Sequence, residues 1–472
     1  MGRSTFSPRR WLIALARLAP AVALLAFAPD ASAYAWMIRH HYTACATCHI
    51  DPSGGETLTA YGRAQGELLL RTRYGGEAAP SPEPASGGAA VGGFDSFDNF
   101  DTPSNESAPS SSPPEQPAPD AARAAAPGSP EPEQDDSTRR GDFLWGVTTP
   151  DWLALGGSVR MASLLRPQAG NGGVRVFPMQ ADLYGALLIG SFRAGGSLGM
   201  SRVPASSPHA RPAQVTTAQG EQLNLISRSH YLGFALGEDW LLRAGRLNLP
   251  FGLRVPEHVL WVRSETQSDR DADQQHGVAI AYTGKSLRGE LMAIAGNYQV
   301  NPDRYRERGY SLFGELVLAD NLTLGLSSLV THAQSDLVQD VDAPTLRQAH
   351  GLFTRWVPLS RLAVLAEADL LLRTEREPGY VGLLQLDLEA LSGFHCIGSA
   401  EVLDAGYRPD PLWFEQRRRP GNGQPRFGAW GGLQWFFYSH LDLRVDLHYG
   451  EPPTHEQRNA AFDLLAQLHI FL

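Results

Sequence analysis

The chain has 472 residues, 43% apolar and 19% charged, yet after residue 30 no stretch approaches the roughly 18 to 20 unbroken apolar residues of a membrane helix. The formal charge of −10 is concentrated, because residues 75–140 hold 12 acids and 3 bases and leave the remainder near neutral, with no basic face for nucleic acid. These totals exclude a helical membrane protein and a nucleic-acid binder.

Residues 1–33 read as a signal peptide. Arg3, Arg9 and Arg10 precede an apolar run from Trp11 to Phe27, and Ala31-Ser32-Ala33 supplies a small-x-small cleavage pattern before Tyr34. The mature chain is therefore expected to start at Tyr34 and to leave the cytoplasm by general secretion.

Residues 34–74 carry Cys45-Ala-Thr-Cys48-His49. Two thiols at this spacing on one turn can each add across a vinyl group of haem, and the next residue's imidazole then lies where it can bind the iron. A disulfide, a redox dithiol and a zinc half-site would use the same thiols. Only covalent haem gives His49 a task as well, and the redox reading lacks its βαβ context. The expectation is one haem c, held by Cys45 and Cys48 with His49 as an axial ligand. After His49 there is no His before His209 and no Met before Met161. The nearby candidates for the second axial position are thus Met37, His40 and His41, with Met37 preferred for its slack and His41 the alternative. After the turn Asp51-Pro-Ser-Gly-Gly55, the spacing of Leu58, Tyr61, Leu68 and Leu69 predicts a short amphipathic helix, although Gly62 and Gly66 weaken it. A segment of about forty residues has too little core to enclose a haem unaided.

Residues 75–145 read as a disordered acidic linker rich in Pro, Ser and Ala. Its one apolar cluster spaces Phe94, Phe97 and Phe100 among acids, as a docking motif or a sticky patch would.

From 146 to 472 the apolar period becomes two. Leu441, Leu443, Val445, Leu447 and Tyr449 alternate with Asp442, Arg444, Asp446 and His448, and the C-terminal stretch from Phe462 to Leu472 repeats the pattern. Strands of 10 to 14 residues exceed those of a soluble sandwich and suit a tilted membrane crossing. Seven tight turns alternate with eight longer polar connections, which gives sixteen antiparallel strands with both ends in the periplasm, fourteen being the fallback. The predicted fold is all-β, an outer-membrane β-barrel in contact with lipid. By parity Cys396 faces outward with Phe394 and Val402, whereas His395 faces inward with Glu401. His395 and His469 read as polar lining residues near the periplasmic end. The longest connection, from Pro250 to Gln275, holds Arg254, Glu257 and His258. Folding inward to narrow the pore and decorating the outer surface are both open to it. Arg246, Arg254, Glu257 and His258 are the pore-lining candidates, and of Arg243 and Arg246 only one should point inward unless a bulge intervenes.

The stretch from Tyr42 to His49, followed by Leu58-Thr-Ala-Tyr61-Gly62-Arg63, resembles the fused outer-membrane cytochrome–porins, the best known of which are iron-oxidising. The motif match covers about twenty-five residues, and the architecture matches over most of the mature chain. The resemblance implies a monohaem segment ahead of a sixteen-strand barrel, a periplasmic cytochrome or other electron carrier as partner, and a haem on the periplasmic side or in the lumen. It further implies electron conduction across the outer membrane, with ferrous-iron oxidase-type chemistry as one form. The long acidic linker departs from a close fusion. Arg243-Ala-Gly-Arg246 with Pro250-Phe251-Gly252 is also similar to stretches in diffusion porins, so a solute porin with a tethered haem, or a barrel anchoring a larger cytochrome complex, stands beside the conduit. Oligomeric state is not legible.

Overall fold

The computed structural model describes residues 32–33, 37–39, 42, 44–70, 72, 149–166, 174–202, 223–255, 257, 260–270, 272–300, 302–336, 343–374, 376–406, 425–438, 440–450 and 461–471. The expected linker at 75–145, most of the signal peptide, and His40, His41 and His258 lie outside them.

Sixteen antiparallel strands close into one barrel. They are β1 (Leu153–Leu165), β2 (Val174–Ile189), β3 (Phe192–Arg202), β4 (Leu223–Ile226 continuing as His230–Leu236), β5 (Trp240–Leu247), β6 (Gln275–Thr283), β7 (Leu287–Ile294) and β8 (Arg308–Ala319). The second half is β9 (Leu322–Ala333), β10 (Thr345–Leu359), β11 (Leu362–Arg373), β12 (Gly379–Leu391), β13 (Phe394–Asp404), β14 (Arg426–Tyr438), β15 (Leu441–Gly450) and β16 (Ala461–Phe471). Both pieces of β4 pair with β3, so they form one interrupted strand. β16 pairs with β1 from Leu464 opposite Leu165 to Phe471 opposite Ser158, and this closure leaves no edge with unpaired backbone groups.

The alternation produces a barrel turned inside out relative to a soluble one. On β15 the charged Asp442, Arg444 and Asp446 are buried, while Leu443 and Leu447 are 37% and 50% exposed. The same holds around the wall, where Leu198, Leu232, Leu324, Leu352 and Leu384 stand outward. A continuous apolar exterior on a closed barrel is the surface that lipid covers. Seven short turns join strands at one end, with Gly237 and Gly393 at φ +72° and +74°, a backbone that glycine adopts without a Cβ penalty. The longer connections lie at the other end, as the alternation of short and long connections predicts.

Ahead of the barrel, Ser32–Ala33 pair with Met37–Arg39 across the expected cleavage point. Cys45–Thr47 form a single 3₁₀ turn, and α1 spans Ala60–Leu70. Within the longest connection, α2 (Trp261–Thr266) is one short helix.

That connection folds inward. Leu253, Val255, Leu260 and Val262 are buried against inward-facing Phe313, Phe353, Leu365, Leu403 and Trp430 from β8, β10, β11, β13 and β14. An ion pair of 2.6 Å between Arg263 and Glu367 of β11 ties α2 to the wall, and Arg347 of β10 donates to Thr266 O at 2.6 Å. Arg243 and Arg246 are both buried, against the expectation that only one would be. Arg243 keeps the inward parity and pairs with Glu290. Gly245 between them has φ +150° within an unbroken register, and Arg246 is buried beside Gln274 and Gln299.

Candidate functional site

The site begins with the turn at Cys45. Cys48 N and His49 N both donate to Cys45 O, at 3.1 and 2.9 Å, which wraps the two cysteines onto one turn. His49 then bridges Leu58 in an antiparallel pair, so the chain leaves the motif and returns beside it. Two residue types make this return fit. Gly54 adopts φ +69°, and a Cβ there would stand 2.6 Å from Cys45 Cβ. Gly62 lies against the motif so closely that a Cβ would stand 2.2 Å from Cys48 O. Thr59 caps α1, its hydroxyl accepting from Gly62 N at 2.9 Å and its own N–H donating to Cys48 O at 2.9 Å. The helix axis is thereby fixed over the cysteine turn. Tyr42 and Tyr61 are hydrogen-bonded through their hydroxyls, with rings in an edge-on arrangement 6.0 Å apart.

Residues 51–72 are bonded to the inward face of the barrel. Asp51 pairs with Arg243 at 2.5 Å, and Arg243 pairs in turn with Glu290. Arg254 donates to Pro52 O at 2.7 Å, Ser229 to Glu56 at 2.5 Å, and Arg63 to Leu155 O at 2.7 Å. Farther along, Thr72 N donates to Phe436 O at 2.8 Å, while Leu70 packs with Ile38, Val357 and Ala363. The segment thus borrows the wall as its core, which its length made necessary.

Between segment and wall lies a cavity of about 350 Å³, the size range of cofactor sites. Cys45, Cys48, His49, Met37 and Tyr42 line it from the segment, and Phe313, Phe353, Leu365, Ile397 and Phe471 from the wall. Both thiols are free rather than joined to each other. Burial, followed by the charge of Arg270, holds His49 down to about 4, so its imidazole is neutral at pH 7. Its Nδ1 is buried without a hydrogen-bond partner. Burial also pushes the Glu56 carboxyl up to about 7. Two free thiols, an imidazole neutral at pH 7 and a cavity of this volume with aromatic and aliphatic side chains in its lining fit a covalently attached haem. Among the described residues no group of three His, Cys, Asp or Glu stands together as a metal site.

The pore-lining candidates are distributed through the interior. Arg254 links the segment to Glu290, Glu257 reaches across to Arg444 of β15 at 2.7 Å, and Arg246 stays with its two glutamines. Cys396 sits on the outward parity, and His395, fully buried, bonds Asp387 at 2.8 Å. A chain that the alternation alone did not reveal joins three strands: His469 bonds Asp442 through Nδ1 at 2.9 Å and Ser158 through Nε2 at 3.0 Å. Only the closure of β16 on β1 brings Ser158 to that position.

The closed strand order and apolar exterior define an outer-membrane β-barrel of sixteen strands. No family model matches the chain, and no curated protein does. Among solved structures it is similar to the outer membrane channel DcaP of Acinetobacter baumannii, at 14% identity, 68% of this chain, 97% of that one and a TM-score of 0.48. Similar too are the outer-membrane expressed OmpT of Vibrio cholerae (10% identity, 69% and 99% coverage, TM-score 0.48) and an anion-selective porin from Comamonas acidovorans (11%, 68% and 99%, TM-score 0.47).

Proposed function

We propose that this outer-membrane barrel carries one covalent haem between residues 44–72 and the lumen wall, and that it passes electrons between an extracellular donor and a periplasmic carrier. The carrying observation is that Cys45, Cys48 and His49 face one cavity, lined by apolar and charged side chains together, whose far side is barrel wall. In this reading Cys45 and Cys48 hold the group by thioethers, His49 binds its iron, and Met37, on the same cavity, is the candidate for the opposite axial position. Bound haem supplies reversible one-electron exchange at its iron. The chain's part is to fix the motif against α1 through Gly62, to hold it to the wall through Asp51 and Arg63, and to keep water from the cavity with aromatic and aliphatic side chains. A hydrocarbon layer of about 30 Å is too thick for one unaided electron transfer, so a haem raised into the barrel, or a carrier docking from below, is what such a conduit requires.

A solute porin is the second reading, favoured by the barrel architecture itself and by a lumen lined with arginines and carboxylates. One experiment separates them. Denaturing gels of the protein stained for haem peroxidase are expected to keep the signal, and Cys45→Ala/Cys48→Ala to lose it. Cells bearing the protein are then expected to reduce the haem with ferrous iron kept outside the membrane. Solute flux unchanged by loss of the two cysteines, with no haem signal in the parent, would leave the porin reading alone. Replacing Met37 with Ala is expected to change the axial-ligand spectrum of the haem.

A further inference from the structure

Among the arginines around the cavity, Arg228, Arg254, Arg263 and Arg355 each pair with a carboxylate. Arg228 pairs with Asp182 at 2.6 Å, Arg254 with Glu290 at 2.9 Å, Arg263 with Glu367 at 2.6 Å and Arg355 with Glu315 at 2.5 Å. Arg270 differs. It comes from the inward-folded connection just after α2, and its guanidinium lies across Gly55, so close that a Cβ on that glycine would stand 1.7 Å from Arg270 Nη2. It borders the same cavity as the two cysteines and His49, yet among the described residues it forms no ion pair with a carboxylate. Glu56 of the segment feels the charge of Arg270 but takes its hydrogen bond from Ser229. A half-buried guanidinium beside a cofactor-sized cavity, with no carboxylate paired to it among the described residues, has a planar fork that suits a carboxylate in two-pronged fashion.

We propose that Arg270 anchors a propionate carboxylate of the haem, so that the barrel's inward loop, and not only the cysteine segment, sets the orientation and potential of the group. This rests on the haem reading above. The cysteines supply attachment and His49 the iron bond, but neither fixes the edge of the ring that carries its two acids. Arg270 approaches the motif from a different part of the chain and reaches it over Gly55, where a side chain would block the way. A cation on that edge favours the less positive, reduced iron.

The test uses the full chain, purified in detergent after haem attachment. Arg270→Gln is expected to keep peroxidase-stainable haem, since the thioethers are untouched. It should change the propionate band in resonance Raman and shift the reduced-to-oxidised ratio at fixed potential about tenfold toward oxidised, or about 59 mV for a one-electron couple. Arg270→Lys keeps the charge without the fork, and is expected to restore the ratio while leaving the Raman band altered. Haem present with both signals unchanged in Arg270→Gln would overturn the proposal and leave the haem reading intact. No stainable haem in the parent protein would overturn the haem reading, and this one with it. Should Arg270→Gln not accumulate as a heat-modifiable barrel, Arg270→Lys decides: an unaltered Raman band overturns the assignment.

Discussion

Gly62 sits where one atom matters. Its amide closes the cap on Thr59, and its missing side chain lets α1 lie on the Cys48 carbonyl. Ala at this position would press into main-chain atoms, which cannot rotate away as a side-chain tip can, and overpacking of that kind costs about 1–3 kcal/mol. Gly62→Ala is therefore expected to reduce the haem content per barrel severalfold while the barrel itself still shifts on gels between unboiled and boiled samples. Equal haem content in the variant would show that the close approach is unnecessary. The sequence displays Tyr61-Gly62-Arg63 but not the reasons for it. Arg63 needs Leu155, ninety-two residues away, and Gly62 needs the carbonyl of Cys48 folded back over it. By contrast, the cysteine–histidine motif is legible because its chemistry is local, all within five consecutive residues.

The inward connection carries a buried carboxyl whose titration makes it sensitive to pH. Asp273 lies near its end, and burial, followed by the charge of Asp269, pushes its carboxyl up to about 7. An unfolded aspartate titrates near 3.9, so the folded loop binds this proton more tightly than the open one. The contribution is therefore fully present below about pH 4, declines as pH rises, and is gone above about pH 7. Asp273→Asn keeps an oxygen for the Asp269 amide and has no charge to bury. Hydrogen exchange of peptides covering 260–275 should show the parent loop losing protection between about pH 4 and 7, after correction for intrinsic rates, with the variant holding its protection. Parallel profiles would count against a buried protonated Asp273. Sequence left this loop with two fates because Leu253, Val255, Leu260 and Val262 declare an apolar face without naming its partner. The partners come from five strands whose inward side chains converge only once the barrel is closed. Alternation with an exception for a bulge left one of Arg243 and Arg246 outside the interior, whereas both are buried, with Gly245 at φ +150° between them.

At the scale of the whole molecule, strand number was legible because connection lengths report it: short at one end, long at the other, with closure demanded by lipid. What fills the interior was not, because a run of alternating residues states only that one face is polar. The segment at 44–72 is bonded to that face at several points, and these bonds allow it to be removed cleanly. Arg243 would lose Asp51 but keep Glu290, and Arg254 would lose the Pro52 carbonyl but keep the same glutamate, so neither of these cations is stranded, while Glu389 would lose Arg39 and keep His395 at 4.0 Å. Stranding a buried cation would cost about 3–5 kcal/mol. A chain with residues 34–72 deleted behind its export signal should therefore still fold as a heat-modifiable barrel. In planar bilayers this deletion is expected to show single-channel steps severalfold larger than the full chain, with the inward connection now the narrowest point. Glu367→Gln in the deletion background removes the ion pair that ties α2 to β11, and a further rise in conductance is expected as that connection loosens. Full-length protein that conducts as freely as the deletion would mean that the segment does not occlude the lumen, and the solute-porin reading would then take precedence.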